Sequence, residues 1–376
     1  MKKFKVPVNE PYLYGNEKKY LQKCIRDGFI SSSGPFVESF EKKFAKRVKR
    51  KFAISVSNGT AALQLAFESL NIKKKDEVIL PSFTIISCIL PIIRCGAKPI
   101  LIDSDPVTWN MDVTKIENKI SSRTRAIIAP HIYGLPIDMD PLLKIAKKNN
   151  LKVIEDAAEV LGLKYKNKQC GSFGDVSTFS FYANKHITTG EGGMIVTDSK
   201  EIAEKCKSLR NICFNNKRRF LHYDLGWNYR FTNLQSAVGL AQLEKLNRFV
   251  IKKRNIGKIY NKGLSKIKIF NIPLEKTEYA KNIYWVYGLV LKKNSPITLN
   301  NLMKKLRLCG IETRNFFWPL HKQPILKKMG FFKNIKLPVA ENLAKNGLYL
   351  PAGLSITSLQ QKYVINKIKK IVSRYL

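Results

Sequence analysis

A carboxylate, a hydroxyl and an amine follow one another in a single alternating pattern between Val153 and Thr197. Asp156 closes the apolar run Lys152-Val153-Ile154, Ser180 sits in a second run, Thr178–Phe181, and Lys185 lies just past it. The turn Gly190-Glu191-Gly192-Gly193 follows. Short apolar runs bounded by turn residues read as buried strands. A lysine held beyond such a strand can form a Schiff base with an aldehyde if its amine attacks in the neutral form, which desolvation and nearby positive charge both favour. A carboxylate at a neighbouring strand end can keep a ring nitrogen protonated. Singly, an Asp after an apolar run is most often a loop residue or a helix N-cap, and a lysine in so basic a chain says little. The information lies in the joint order of Asp156, Glu159, Ser180, Lys185 and the glycines.

Upstream, Ser57-Asn58-Gly59-Thr60 precedes the helical stretch Ala61–Leu70. Backbone N–H groups at a helix start, with the Thr60 hydroxyl, suit an anion such as phosphate, although S-N-G-T taken alone is an ordinary N-cap signal. An amine for an aldehyde, a carboxylate for a pyridine nitrogen, donors for a phosphate and a group over the ring face are the four requirements of pyridoxal 5'-phosphate.

These residues must be positioned by strands and helices that alternate. Ala53–Val56, Val78–Leu80, Ile100–Ile102, Ala126–Ala129, Lys152–Ile154, Thr178–Phe181 and Met194–Val196 read as strands. Thr60–Leu70, Ile85–Ile93, Met139–Lys148 and Lys200–Leu209 read as the helices between them. That alternation predicts an α/β fold with a mostly parallel sheet covered on both faces. After Asn233 the pattern changes to one long amphipathic helix, Leu234 to about Asn261. Strand-like Ile267–Ile272 and Trp285–Leu291 follow, with helices at Leu299–Leu308, Ala340–Gly347 and Leu359–Arg374. The expected division is a large cofactor-binding domain over 31–245 and a smaller C-terminal α/β domain over 246–376, the latter joined by residues 1–30.

A chain of 376 residues with 44% hydrophobic content can bury a large core and a second, smaller one. Neither a signal peptide nor a membrane-spanning run is legible, so a soluble, cytoplasmic protein is expected. The 7 cysteines form no C-x-x-C pair and no zinc-spaced cluster with the 4 histidines, which predicts reduced thiols and no metal site. The formal net charge of +39 invites a nucleic-acid or anionic-membrane reading. The excess is nonetheless mostly lysine spread along the chain, without aromatic interleaving or a DNA-binding motif, so no specific nucleic-acid site is expected.

Several motifs carry a family resemblance. They are Ser57-Asn58-Gly59-Thr60, Asp103-Ser104-Asp105-Pro106 with Trp109 and Met111-Asp112, and His131-Ile132-Tyr133-Gly134. To these are added Asn184–Gly190, Asn228–Asn233 and Gly310-Ile311-Glu312-Thr313-Arg314. Together they resemble the sugar-nucleotide aminotransferases of the DegT type, within pyridoxal phosphate fold type I, and among those the enzymes that make GDP-perosamine. The match spans Pro11 to about Leu354. It implies a large domain built on a seven-stranded, mainly parallel sheet, with Lys185 and Asp156 as the catalytic residues.

The resemblance further implies that Gly59, Thr60, Ile85, Glu159 and Ser180 hold the cofactor. Asn228 corresponds to an asparagine that reaches across from a second subunit, which implies a homodimer with a shared active site. Ile85 stands where relatives usually stack an aromatic residue on the ring. Arg219, His222, Arg314 and His321 lie in segments resembling substrate-facing loops. The implied reaction moves an amino group from L-glutamate to the 4-keto carbon of a nucleotide-linked 4-keto-6-deoxysugar, GDP-4-keto-6-deoxymannose above all, toward O-antigen and other bacterial surface polysaccharides. UDP- or dTDP-linked substrates remain open. Related 3-dehydratases have histidine in place of the lysine, so Lys185 favours amino transfer; a nucleic-acid-binding regulator is the non-enzyme alternative.

Overall fold

The computed structural model of the chain describes residues 4–215 and 217–375. Nine strands form among the described residues up to Thr197: β1 Phe52–Val56, β2 Glu77–Pro81, β3 Lys98–Ile102, β4 Thr124–Pro130, β5 Lys152–Asp156, β6 Lys164–Tyr165, β7 Lys168–Gln169, β8 Val176–Ser180 and β9 Gly193–Thr197. All but the β6–β7 hairpin join one seven-stranded sheet in the order β1-β9-β8-β5-β4-β2-β3. Every residue of β2 and β9 is buried, as a sheet covered on both faces requires. Successive residues point to opposite faces: Ile127 and Ala129 join one apolar cluster, while Ala126 and Ile128 join the other.

The mostly parallel arrangement expected from the alternation is present in β3, β2, β4, β5 and β8. β9 is reversed against both of its neighbours. The loop 181–192 contains no helix, and a parallel crossover needs the length that a helix usually supplies. The reversal of β9 makes β1 run in the same sense as β8, so the segment after β1 and the ends of β5 and β8 emerge at one edge. In open α/β sheets, the carboxyl ends of strands are where ligands bind.

The expected helix over Ile85–Ile93 is instead a single 3₁₀ turn, Ile86–Cys88, followed by a short helix, Leu90–Arg94. Pro91 lies in the first turn of the second piece, where a proline is tolerated. The long helix expected after Asn233 is also divided, into Asn233–Glu244 and Leu246–Leu264, with Lys245 off helical geometry at φ −102° and ψ 0°. The first piece opens on a Thr232/Gln235 capping box and is buried on most sides, with Gly239 seated against Phe40. The second leaves that core at Leu246, Phe249 and Val250 and enters another at Ile256, Tyr260 and Leu264. A straight continuation could not serve both cores, and the amphipathic pattern does not encode the bend.

The later part of the chain forms an antiparallel four-stranded sheet, β10 Phe270–Asn271, β11 Tyr287–Leu291, β12 Arg314–Asn315 and β13 Gly347–Leu350, in the order β10-β11-β13-β12. The N-terminal segment divides its contacts. Val6 bridges Ile311 and Val8 accepts from the Ala352 N–H, whereas the helix Glu17–Arg26 lies with Cys24 in the core of the large sheet.

One turn after β4 ties the two sheets together. Tyr133 at φ 56° and Gly134 at φ 98° reverse the chain after β4, and the Ile283 N–H donates to the Gly134 carbonyl at 3.0 Å. A Cβ on Gly134 would lie 2.6 Å from the Trp285 nitrogen and 2.7 Å from that of Tyr284. Gly28, at φ 74°, faces open space. Gly28→Ala should therefore cost about 1 kcal/mol, the dihedral penalty alone. Gly134→Ala should cost about 2 kcal/mol more through backbone collision; urea denaturation of the two variants checks the difference, and equal losses would contradict it.

Candidate active site

At the shared edge opens a cavity of about 530 Å³ whose walls include Gly59, Thr60, Ile85, Asp156, Glu159, Ser180 and Lys185. The structure thus brings together seven of the residues singled out in the sequence. Asp156 is the last residue of β5 and 6% exposed. Its Oδ1 accepts from the Ala158 N–H at 3.1 Å and its Oδ2 from the Cys88 thiol at 3.4 Å. Burial raises its pKa, against the pull of Ala158, Lys185 and Cys88.

Lys185 is 12% exposed at its side chain, with its amine 3.8 Å from Glu159 Oε1 and 3.7 Å from the centroid of the Trp285 ring. Burial lowers its pKa, while Glu159 and Asp156 act in the opposite sense. The same burial raises Glu159 to about 8, and its Oε2 accepts from the Tyr133 N–H at 2.7 Å. Removal of water, the largest cause in each case, drives the amine toward its neutral, nucleophilic form. Trp285 also donates its indole N–H to the Asn184 carbonyl at 2.9 Å, which fixes the residue preceding the lysine.

The other end of the cavity is polar and small. Asn58 caps the helix Gly59–Ser69, its side chain accepting from the Ala61 N–H at 2.8 Å. The S-N-G-T motif is therefore an N-cap and a cavity wall at once. Thr60 Oγ1 meets Ser87 Oγ at 2.8 Å. A Cβ on Gly59 would stand 2.8 Å from the Ser180 Cβ, so glycine keeps the space between those two elements open. Hydroxyl donors at a helix N-terminus, a buried carboxylate and a buried amine in one cavity match the donor set that pyridoxal phosphate requires. The residues fit that group.

The remaining residues singled out lie elsewhere. Asn228 is exposed; it bridges Asn211, and its Oδ1 accepts from Arg230 Nε at 2.9 Å. Arg219 lies over the Phe214 and Phe220 rings and lines a second cavity with Arg210 and Arg230. His222 donates from Nδ1 to the Ile212 carbonyl at 2.9 Å. Arg314 borders a smaller cavity that shares Tyr182, Asn184, Trp285 and Tyr349 with the main one. His321 is 1% exposed and engaged at both nitrogens, by Ser82 Oγ at 2.7 Å and Glu341 Oε1 at 3.0 Å. It ties the Ser82 turn to the helix Pro338–Asn346 and does not face the cavity.

His131, Glu155 and Cys170 cluster closely enough to suggest a metal. However, Glu155 accepts from His131 Nε2, the Gly171 and Phe173 N–H groups and the Ser177 hydroxyl, while His131 Nδ1 accepts from the Ile137 N–H. A carboxylate so fully bonded anchors the loops behind β5. Sequence reasoning missed Trp285, Ser87 and Cys88: the first opens an apolar run that reads as strand core, and the others sit in a stretch that reads as helix.

The comparisons with known proteins agree with this geometry. The model of the DegT/DnrJ/EryC1/StrS aminotransferase family matches residues 11–369. GDP-perosamine synthase of Escherichia coli O157:H7 is 40% identical over 98% of this chain and 99% of its own length. That of Caulobacter vibrioides is 39% identical over 98% of both. Among solved structures, Helicobacter pylori PseC, an aminotransferase involved in the biosynthesis of pseudoaminic acid, superposes with a TM-score of 0.93 at 23% identity over 100% of both chains. The chain belongs to the DegT/DnrJ/EryC1/StrS aminotransferase family, and pyridoxal 5'-phosphate is its cofactor.

Proposed function

We propose that this aminotransferase acts on a nucleotide-linked 4-keto-6-deoxysugar, taking the amino group from L-glutamate and converting GDP-4-keto-6-deoxymannose to GDP-perosamine, as a cytoplasmic homodimer. The observation that carries the reaction class is the buried Lys185 amine facing Glu159 in a cavity shared with Asp156. The near-full-length likeness to two GDP-perosamine synthases supports the choice of sugar.

When bound, the cofactor supplies an aldehyde that captures amines covalently and a protonated ring that takes up the electron pair left by deprotonation at carbon. The chain does the rest. Lys185, whose amine burial biases toward the neutral form, would anchor the cofactor and, once freed, would move a proton between the substrate carbon and the cofactor's C4′. Asp156 would hold the ring nitrogen protonated, Glu159 would help hold the cofactor, and Ile85 would cover the ring face without π overlap. Thr60, Ser180 and the backbone beside Gly59 would receive the phosphate. Arg314 borders the approach to the cavity and suits a diphosphate.

Asn228, Arg219 and His222 lie outside the cavity of their own chain, which favours service in a partner's site. Phe220 at 81% and Leu225 at 94% exposure sit between them, the kind of apolar loop that a second subunit covers. Among the described residues, no helix is long and apolar enough to cross a membrane. We read the division of the chain as a large cofactor-binding domain over 31–245 and a small domain over 246–376.

The test is incubation of the protein with glutamate and a panel of GDP-, UDP- and dTDP-linked 4-keto sugars, with products read by mass. Amination of the GDP substrate is expected, and amination of only the UDP or dTDP sugars would refute the choice of base. Asp156→Asn should lower kcat by about a hundredfold or more while the thermal midpoint stays near wild type; an unchanged kcat would remove Asp156 from the ring nitrogen.

Glu159 offers a check on the electrostatics. Its pKa is raised in the folded chain, from 4.5 to about 8, so the stability it contributes is full below the first value and is lost as pH climbs through the second. Cofactor-free wild type should lose urea resistance across that window, and Glu159→Gln should lose less. Parallel profiles would show that the carboxylate is not desolvated.

A further inference from the structure

The 3₁₀ turn Ile86–Cys88 and its preceding residue, Ile85, reach both ends of the cavity. Ile85 and Ser87 line it, and Ser87 Oγ lies 2.8 Å from Thr60 Oγ1 at the phosphate end. One residue later the chain has turned inward: Cys88 is fully buried and its thiol donates to Asp156 Oδ2 at 3.4 Å. Thr84 Oγ1 holds the same sulfur at 3.3 Å. Three of these four residues, Ile85, Ser87 and Cys88, therefore face the proposed ring site, the phosphate site and the carboxylate for the ring nitrogen, while Ile86 packs against the core.

The chemistry at each contact is specific. Ala61's N–H is taken by the Asn58 side chain, which removes one of the backbone donors a helix start normally offers an anion. In a Thr–Ser hydroxyl pair, one O–H is spent on the other oxygen and the second proton is free; both hydroxyls can rotate toward a stronger acceptor when one arrives. At the far end, S–H is a weak donor. It fixes the orientation of the Asp156 carboxylate while leaving Oδ2 basic enough to accept a ring N–H.

We infer that the turn Ile85–Cys88 is a second grip on the cofactor: the Ser87 hydroxyl shares the phosphate with Thr60, and Cys88 acts as a positioning residue for the Asp156 carboxylate. This rests on the cofactor site proposed above. Neither residue is among those to which the sequence assigned a role. Ser87 and Cys88 connect the two ends of the ligand through a single rigid turn, so binding at one end constrains the other.

The experiment titrates pyridoxal 5'-phosphate into cofactor-free wild type, Ser87→Ala, Ser87→Thr, Cys88→Ala and Cys88→Ser, following absorbance, and then titrates the bound chromophore with pH. Ser87→Ala should raise the dissociation constant about tenfold, one charge-assisted hydrogen bond, and Ser87→Thr should restore it. Cys88→Ala removes a donor from Asp156 and Cys88→Ser supplies a stronger one, so their spectroscopic pH midpoints should move in opposite directions from wild type. A Ser87→Ala constant equal to wild type, or midpoints that shift together, would overturn the inference. Failure of wild type itself to take up the cofactor would instead overturn the site on which the inference is built.

Discussion

An amine without water must find something else to answer its charge, and the arrangement around Lys185 is organised by that requirement. Desolvation alone would leave a neutral lysine with no orientation. The carboxylates of Asp156 and Glu159 alone would hold it protonated and unreactive. The two effects oppose each other within one cavity, and the indole of Trp285 settles the geometry by covering the amine and tethering Asn184. Moving any of these groups shifts the balance.

The large sheet supplies the positions. β5 delivers Asp156 at its last residue, β8 delivers Ser180, and the reversal of β9 brings the segment after β1 to the same edge. Burial on both faces makes those strand ends rigid, so side chains projecting from them occupy fixed places. The interior treats other cations in the same way. Lys253 is buried with its amine donating to the Trp285 and Ala352 carbonyls, and Arg50 satisfies the carbonyls of Gly171, Phe173 and Gly174. A net charge of +39 is thus compatible with a dry core, because inward-facing cations such as Lys253 and Arg50 meet backbone carbonyls.

Much of this was legible in the sequence, for reasons that differ by residue. Strands buried on both faces appear as unbroken apolar runs, and that signal located every strand of the large sheet. Asp156, Ser180 and Lys185 were legible because they sit at the ends of such runs, where polarity changes abruptly. Cys88 was not, because a buried thiol and a core residue have the same sequence signature. Trp285 was hidden for the same reason, its functional contact lying some hundred residues away in sequence. The bend at Lys245 escaped because no Gly or Pro marks it, and only the placement of two separate cores decides that the chain must turn there. His321 reads as a loop histidine, yet Ser82 and Glu341, distant in the chain, close around it.

The tie from Trp285 to Asn184 has a consequence for how the protein comes into being on the ribosome. A nascent chain that has emerged only as far as β9 already contains Lys185, yet lacks the indole that shields its amine. Until the residues beyond 280 arrive, that amine lacks its indole cover, and it loses water only when the last quarter of the polypeptide closes over it.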